Sequence, residues 1–229
     1  MVKSISIRNV QRFEIPDGET AISEANVPLG SIVKTGRTLT TEDKIQFEVF
    51  NCVFSKDISE EISAYIQQIE EYVSLATYRK NYTFNMYYSA TKNILFSEGV
   101  TSVTKGFLKA LQATEDITIE YSTPHFDFDS ISNLFAQTKG IRFNSNDQGV
   151  NNKMFNGNAV NENVEASEAI QNDDATQIIG VMDIGGKGYT VSFTQSGTLI
   201  VFNKLFIDKE VPMLELATAA LDKIGMLSK

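Results

Sequence analysis

Apolar and polar residues alternate cleanly over Ile45-Gln46-Phe47-Glu48-Val49-Phe50, which predicts a strand with one wet face. The same alternation opens the chain around residues 3–8 and 10–15 and predicts two short strands there. Ile15-Pro16-Asp17-Gly18 then reads as a turn. Residues 16–43, rich in Gly, Thr and Ser and carrying Pro28, predict loops with short strands. The period changes after residue 57. Ile58, Ile62, Ile66, Ile69, Val73 and Ala76 recur at steps of three and four, the stripe of a buried helix face. Asp57, with Glu60 three residues on, supplies a start signal for that helix. Glu60, Glu61, Glu70 and Glu71 fall mainly off the stripe and form its solvated face.

Beyond this helix the pattern returns to strands. Thr83 to Ala90 is aromatic and β-prone, and Asn93 to Ser97 continues as a second strand. Glu98-Gly99 turns the chain into a helix with Val103, Phe107, Leu108 and Leu111 on one face, and Ile117 to Tyr121 is a further strand. Asp129 is placed to cap a short helix through Ile131, Leu134 and Phe135, which Gly140 ends before the strand 141–143. Ile178 to Ile184, Tyr189 to Thr194 and Thr198 to Ile207 predict three strands, the last two joined at Gln195-Ser196-Gly197. Pro212 opens a terminal helix bearing Leu214, Ala217, Leu221 and Ile224, with Gly225 near its stop. Residues 144–176 differ from the rest. Nine asparagines lie between Asn144 and Asn172, and six acids face the single base Lys153. Such a stretch predicts an insertion or lid, with a weak helix over Val160, Val164 and Ile170.

The order of elements predicts an α+β fold: a mixed or largely antiparallel sheet packed against three or four helices. It reads as a single domain over 1–229 with a long acidic, Asn-rich insertion. The subdivisions are a β-rich part at 1–56, an α/β middle at 57–143, the insertion at 144–176, and a hairpin plus terminal helix at 177–229.

Composition narrows the function classes. With 42% hydrophobic and 21% charged residues the chain is ordinary globular material, not a disordered one. No apolar block suits a secretory signal or a membrane span, and one cysteine, Cys52, excludes an internal disulfide. These features predict a soluble, cytoplasmic protein with no membrane partner. Twenty basic residues against 29 acidic ones give a net charge of −9, which disfavours tight DNA binding.

Two groups of residues carry candidate chemistry. In His125-Phe126-Asp127-Phe128-Asp129, an extended backbone puts His125, Asp127 and Asp129 on one face and both phenylalanines on the other. Imidazole and carboxylates together suit a divalent metal ion, the one cofactor this sequence suggests. Asp183 stands at a strand end before Gly185-Gly186-Lys187-Gly188. Over about 25 residues this resembles the actin-like and RNase H-like folds, where such an aspartate positions Mg²⁺ and phosphates. A hairpin turn explains the same glycines without a ligand. The second group is Tyr78, Arg79, Lys80, Tyr82, Tyr87 and Tyr88. Tyrosine and cations side by side suit a protein hot spot or the stacking of single-stranded nucleic acid; one aromatic face of a core strand is the plainer account.

No nucleophilic set is evident: Cys52 has no electropositive sequence neighbours, and no Gly-x-Ser-x-Gly elbow occurs. The sequence therefore favours a non-enzymatic interaction protein with a protein partner, a homo-oligomer being compatible. The alternative is a metal-dependent phosphodiesterase or nuclease using His125, Asp127, Asp129 and Asp183. A third reading is an acidic inhibitor that imitates nucleic acid.

Overall fold

The computed structural model describes residues 3–24 and 27–227. Twelve strands form one sheet: β1 (Lys3–Glu14), β2 (Gly18–Glu24), β3 (Val27–Thr40), β4 (Gln46–Ile66), β5 (Glu71–Ser89), β6 (Ile94–Glu98), β7 (Thr118–Ser122), β8 (Gln137–Asn144), β9 (Asn152–Asn156), β10 (Ala175–Ile184), β11 (Lys187–Thr194) and β12 (Thr198–Val201). The helices are α1 (Thr101–Gln112), α2 (Phe128–Leu134), α3 (Val164–Gln171) and α4 (Pro212–Lys223). Strands take up 53% of the described residues and helices, the 3₁₀ turn included, 19%. This overturns the α+β expectation: the molecule is a predominantly β protein whose sheet carries four short helices.

The spatial order is β2-β3-β4-β5-β6-β1-β12-β11-β10-β8-β9, with β7 also on β1, and the pairings are antiparallel. The centre is β1, which pairs with β12 over Lys3–Ser6, with β6 over Ser6–Asn9 and with β7 over Asn9–Glu14. Its two predicted strands are thus one, broken by a bulge between Val10 and Arg12. A bulge shifts the alternation by one residue. Ile5 and Ile7 point to one core, whereas Val10, Phe13 and Ile15 all reach the other.

Apolar residues on both faces of the sheet build those two cores. Along β4, Phe47 and Val49 enter the first, beneath α2, α3 and α4, and Phe50, Cys52 and Phe54 enter the second, beneath α1. That is the period-two alternation of a strand covered on both sides. In the second core, Phe54 and Phe84 both meet the Phe107 ring edge-on.

The largest departure from the sequence reading lies between residues 57 and 76. The expected helix is the outer part of the β4–β5 hairpin, paired from Asp57↔Arg79 to Ile66↔Glu71. The physical reason is commensurability. Ile58, Ile62 and Ile66 are four apart, and four residues is also two strand repeats. Isoleucine, valine, threonine and tyrosine then favour the pleated state. Glu70 adopts a left-handed backbone (φ 53°) in the turn, which no helix interior allows.

Smaller corrections follow. Asp127, not Asp129, caps α2, and Gly140 lies inside β8 instead of ending a helix. The last predicted strand stops at Val201. The 144–176 stretch is not a free insertion: β9 pairs with β8 at the sheet edge, and a 3₁₀ turn (Val160–Glu162) leads into α3. Ala166, Ala169 and Ile170 of α3 are buried in the first core, and Lys153 pairs with Asp147 and Glu165 across the segment.

Candidate functional site: a projecting two-stranded arm

Strand β3 pairs with β4 only as far as Phe54, and β6 pairs with β5 only from Asn85 onward. Between them, residues 55–81 form a ribbon whose two strands pair with no further strand among the described residues, and Arg79 also donates to the Pro28 carbonyl. Ser55 to Ile66 at about 3.3 Å per residue gives an arm of roughly 35–40 Å. Cross-strand pairs hold its side chains in rows. Phe54–Tyr82, Lys56–Lys80 and Ile58–Tyr78 share one face, and Asp57–Arg79 and Ser59–Thr77 share the other. A bulge at Glu60–Glu61 in β4 then moves the β4 apolar positions across. Ile62–Leu75 and Ala64–Val73 consequently lie on the Asp57–Arg79 face, and Tyr65–Tyr72 lies on the Ile58–Tyr78 face.

The end of the arm is apolar and acidic together. Tyr65, Ile69 and Tyr72 are 53%, 54% and 74% exposed. The two tyrosine rings touch, with centroids 5.2 Å apart. Glu60, Glu61, Glu70 and Glu71 lie between Ile58 and Tyr78, a stretch with no lysine or arginine. Sequence reasoning missed Tyr65 and Tyr72 because each stands three residues after an isoleucine of the supposed helical stripe, Ile62 and Ile69, and so falls on the face expected to be buried. The signal that could have found them is the β-branched and aromatic content of residues 58–78.

The six aromatic and basic candidates all lie on β5 but do not form one surface. Tyr87 is buried in the first core and donates to Glu98, and burial together with that carboxylate pushes its hydroxyl pKa up. Tyr88 packs on Phe13 beside the second core. Arg79 forms a two-pronged pair with Asp57. Tyr78, Lys80 and Tyr82 remain together on the other face, where Tyr78 donates to Glu60 and the Lys80 ammonium sits 5.3 Å from the Tyr82 ring centre.

The His125 group is arranged differently. Phe126 and Phe128 are buried, and His125, Asp127 and Asp129 are exposed. Asp127 spends its carboxylate as the α2 cap, accepting from the Ser130 N–H at 3.1 Å and the Ser130 hydroxyl at 2.6 Å. Asp183 accepts from the Gly186 N–H in the β10–β11 turn. His125 lines a cleft with Ala175, at the opposite end of β10 from Asp183. Eight strand residues, about 27 Å, separate those ends. Among the described residues no three His, Cys, Asp or Glu side chains are placed to hold a metal ion.

Two outcomes follow. Mn²⁺ or Zn²⁺ is expected to leave the unfolding temperature where EDTA leaves it; a metal-dependent rise lost in Asp127→Ala would reinstate the cluster. Second, the Ser130 hydrogen bonds hold the Asp127 carboxyl below its ordinary pKa. The folded-state value lies below the unfolded one, so this stabilisation is complete above the unfolded pKa and disappears as pH falls through the folded value. Asp127→Ala should cost about 1 kcal/mol at neutral pH. Asp127→Asn should keep most of the cap but lose its acid dependence in denaturant titrations.

The clefts hold no reactive set. One of about 620 Å³ lies between the β10–β11 turn, residues 206–209 and α4. In it Lys209 pairs with Glu42 at 3.1 Å, Glu215 accepts from the Glu42 N–H, and Lys187 lies over the Phe206 ring. Cys52 is fully buried, and burial pushes its thiol pKa well up, away from the nucleophilic form. Among the described residues no helix is long and apolar enough to cross a membrane.

No family model matches this chain, and no curated protein matches it significantly. The arm therefore has to be interpreted from its own chemistry.

Proposed function

We propose that this chain is a non-catalytic interaction protein that engages a macromolecular partner through the β4–β5 arm, and that the partner is a protein. One observation carries the reading: an unsupported ribbon ending in exposed Tyr65, Ile69 and Tyr72. A lone two-stranded hairpin is at best marginally stable in water. Its apolar rows gain most when something covers them, and tyrosines at an exposed tip are what protein hot spots use. The four glutamates disfavour a phosphate backbone as the partner.

The test is a photo-crosslinking amino acid placed at Ile69 or Tyr72, with Lys109 on α1 as the control position. Crosslinked protein is expected from the arm positions and not from the control. Equal yields from all three, or none, would overturn the reading. The triple variant Tyr65→Ser, Ile69→Ser, Tyr72→Ser should leave the unfolding temperature nearly unchanged and compete poorly with wild type for the crosslinked species.

A further inference from the structure

The two edges of the arm are not equivalent. The outer edge of β4 is broken by the Glu60–Glu61 bulge, a device that blunts strand addition. In β5, by contrast, residues 71–79 run without an irregularity. Before β6 joins at Asn85, nothing among the described residues pairs with that edge. The unpaired edge reads Glu71-Tyr72-Val73-Ser74-Leu75-Ala76-Thr77-Tyr78-Arg79.

That sequence is complementary to itself when reversed about Leu75. Tyr72 then faces Tyr78, Val73 faces Thr77, Ser74 faces Ala76, and Glu71 faces Arg79. From these facts we infer that the occupant of the β5 edge is a second copy of this chain, paired antiparallel about a two-fold axis through Leu75. The inference rests on the arm being the contact element and names what it contacts.

A two-fold antiparallel pairing keeps like faces together, so the rows of the arm extend across the join. On one face, Ile62–Leu75 meets Leu75–Ile62 of the second copy at the centre. On the other, Tyr65–Tyr72 meets Tyr78–Ile58 of the second copy, and the axis repeats that row. The most exposed aromatic, Tyr72, thereby gains an aromatic neighbour on each side. At each end Glu71 of one copy lies opposite Arg79 of the other, whose guanidinium, directed in its own chain to Asp57 and the Pro28 carbonyl, turns toward the join. Two marginal ribbons become one four-stranded sheet, the size at which a sheet with an apolar face stands alone. Strand addition of this kind takes its affinity from main-chain hydrogen bonds and its register from side-chain rows. Parallel alignment, or a shift of one residue, would separate Glu71 from Arg79 and bring unlike rows together.

Sedimentation analysis of the full-length chain over a range of concentrations tests this directly. Wild type is expected to be a dimer that dissociates on dilution. Glu71→Arg and Arg79→Glu each place like charges at both ends of the join, raising the dissociation constant about tenfold or more. A one-to-one mixture of the two variants is expected to recover the dimer, because both ends are complementary only in the mixed pair. That recovery also shows that both variants are folded. A wild type that stays monomeric, variants that pair as well as wild type, or a mixture without recovery would each overturn the inference. The arm as a contact element fails separately. Crosslinks from Ile69 or Tyr72 to a different protein, with a monomeric wild type, sink the second copy and leave the arm standing; no crosslink of either kind removes both.

Discussion

Gly180→Ala is expected to lower stability by about 2–4 kcal/mol, at the upper end of overpacking effects, and Gly180→Val by more. A Cβ built on Gly180 would lie 2.0 Å from Cδ2 of Phe135, inside the ring's own volume. Phe135 ends α2, and its ring lies directly against the β10 backbone in the first core. Neither side can yield easily. The α2 helix is tied to β10 through Phe135, and β10 is hydrogen-bonded on both sides, to β8 and β11. For a chain of this length the loss corresponds to a fall of roughly 4–16 °C in the unfolding midpoint for alanine. The decisive control is Phe135→Ala. Alone it should destabilise by opening a cavity, but combined with Gly180→Ala the two costs should add to far less than their sum. Additive costs would show that the ring is not what excludes the side chain.

Arg8→Ala is the second large effect, about 3 kcal/mol, or roughly 6–12 °C. Arg8 is 3% exposed at the centre of the sheet, and no carboxylate lies within ion-pair distance of it among the described residues. Its Nη1 donates instead to the carbonyls of Ile7, Ser196 and Gly197 at 2.5, 3.1 and 3.3 Å. Burial pulls its pKa down, and Tyr121 opposes that. Deleting the side chain leaves a cavity and takes a donor from three carbonyls. Arg8→Met fills most of the cavity without restoring a donor, so it should recover part of the loss. If methionine and alanine cost the same, the hydrogen bonds and not the packing hold this turn; if methionine costs nothing, the guanidinium contributes no net stability. Gly197 is the other half of this contact, since its φ is +73° and a Cβ there would meet Arg8 Nη1 at 2.8 Å.

The body of the sheet was legible in the sequence wherever one period excluded the other. In Ile45 to Phe50 the polar Gln46 and Glu48 interrupt the apolar residues at every second position, and β4 begins there; Val103, Phe107, Leu108 and Leu111 follow the helical period and line α1. Ile62 and Ile66 satisfy both periods, while the Glu60–Glu61 bulge sets Ile58 on the opposite face. There local pattern gave no decision, and the preference of branched residues together with the partner strand 71–79 settled it. The fold class failed for the same reason, because removing that helix removes the balance between helix and sheet. The proposed contact surface was legible in part. Tyr78, Lys80 and Tyr82 share a face of the arm, whereas Tyr87 and Tyr88 are turned to opposite sides by alternation and absorbed by the two cores. Contacts such as Phe135 on Gly180 span 45 positions of chain and leave no trace in local periodicity.

The place of β1 governs the order in which the molecule can be assembled. Strands β2 to β6 come from residues 18–98 and strands β8 to β12 from residues 137–201, and in the sheet the two groups join only at β1. Strand β1 is made before the other described strands and must therefore wait for Thr198 to Val201 before its Lys3–Ser6 edge is paired. Closing so distant a contact is slow, because the entropy of the intervening chain is lost before the pairing is gained. Until then, β1 to β7 form a half-sheet with an open edge along β1, the state most prone to pair with a neighbouring nascent chain.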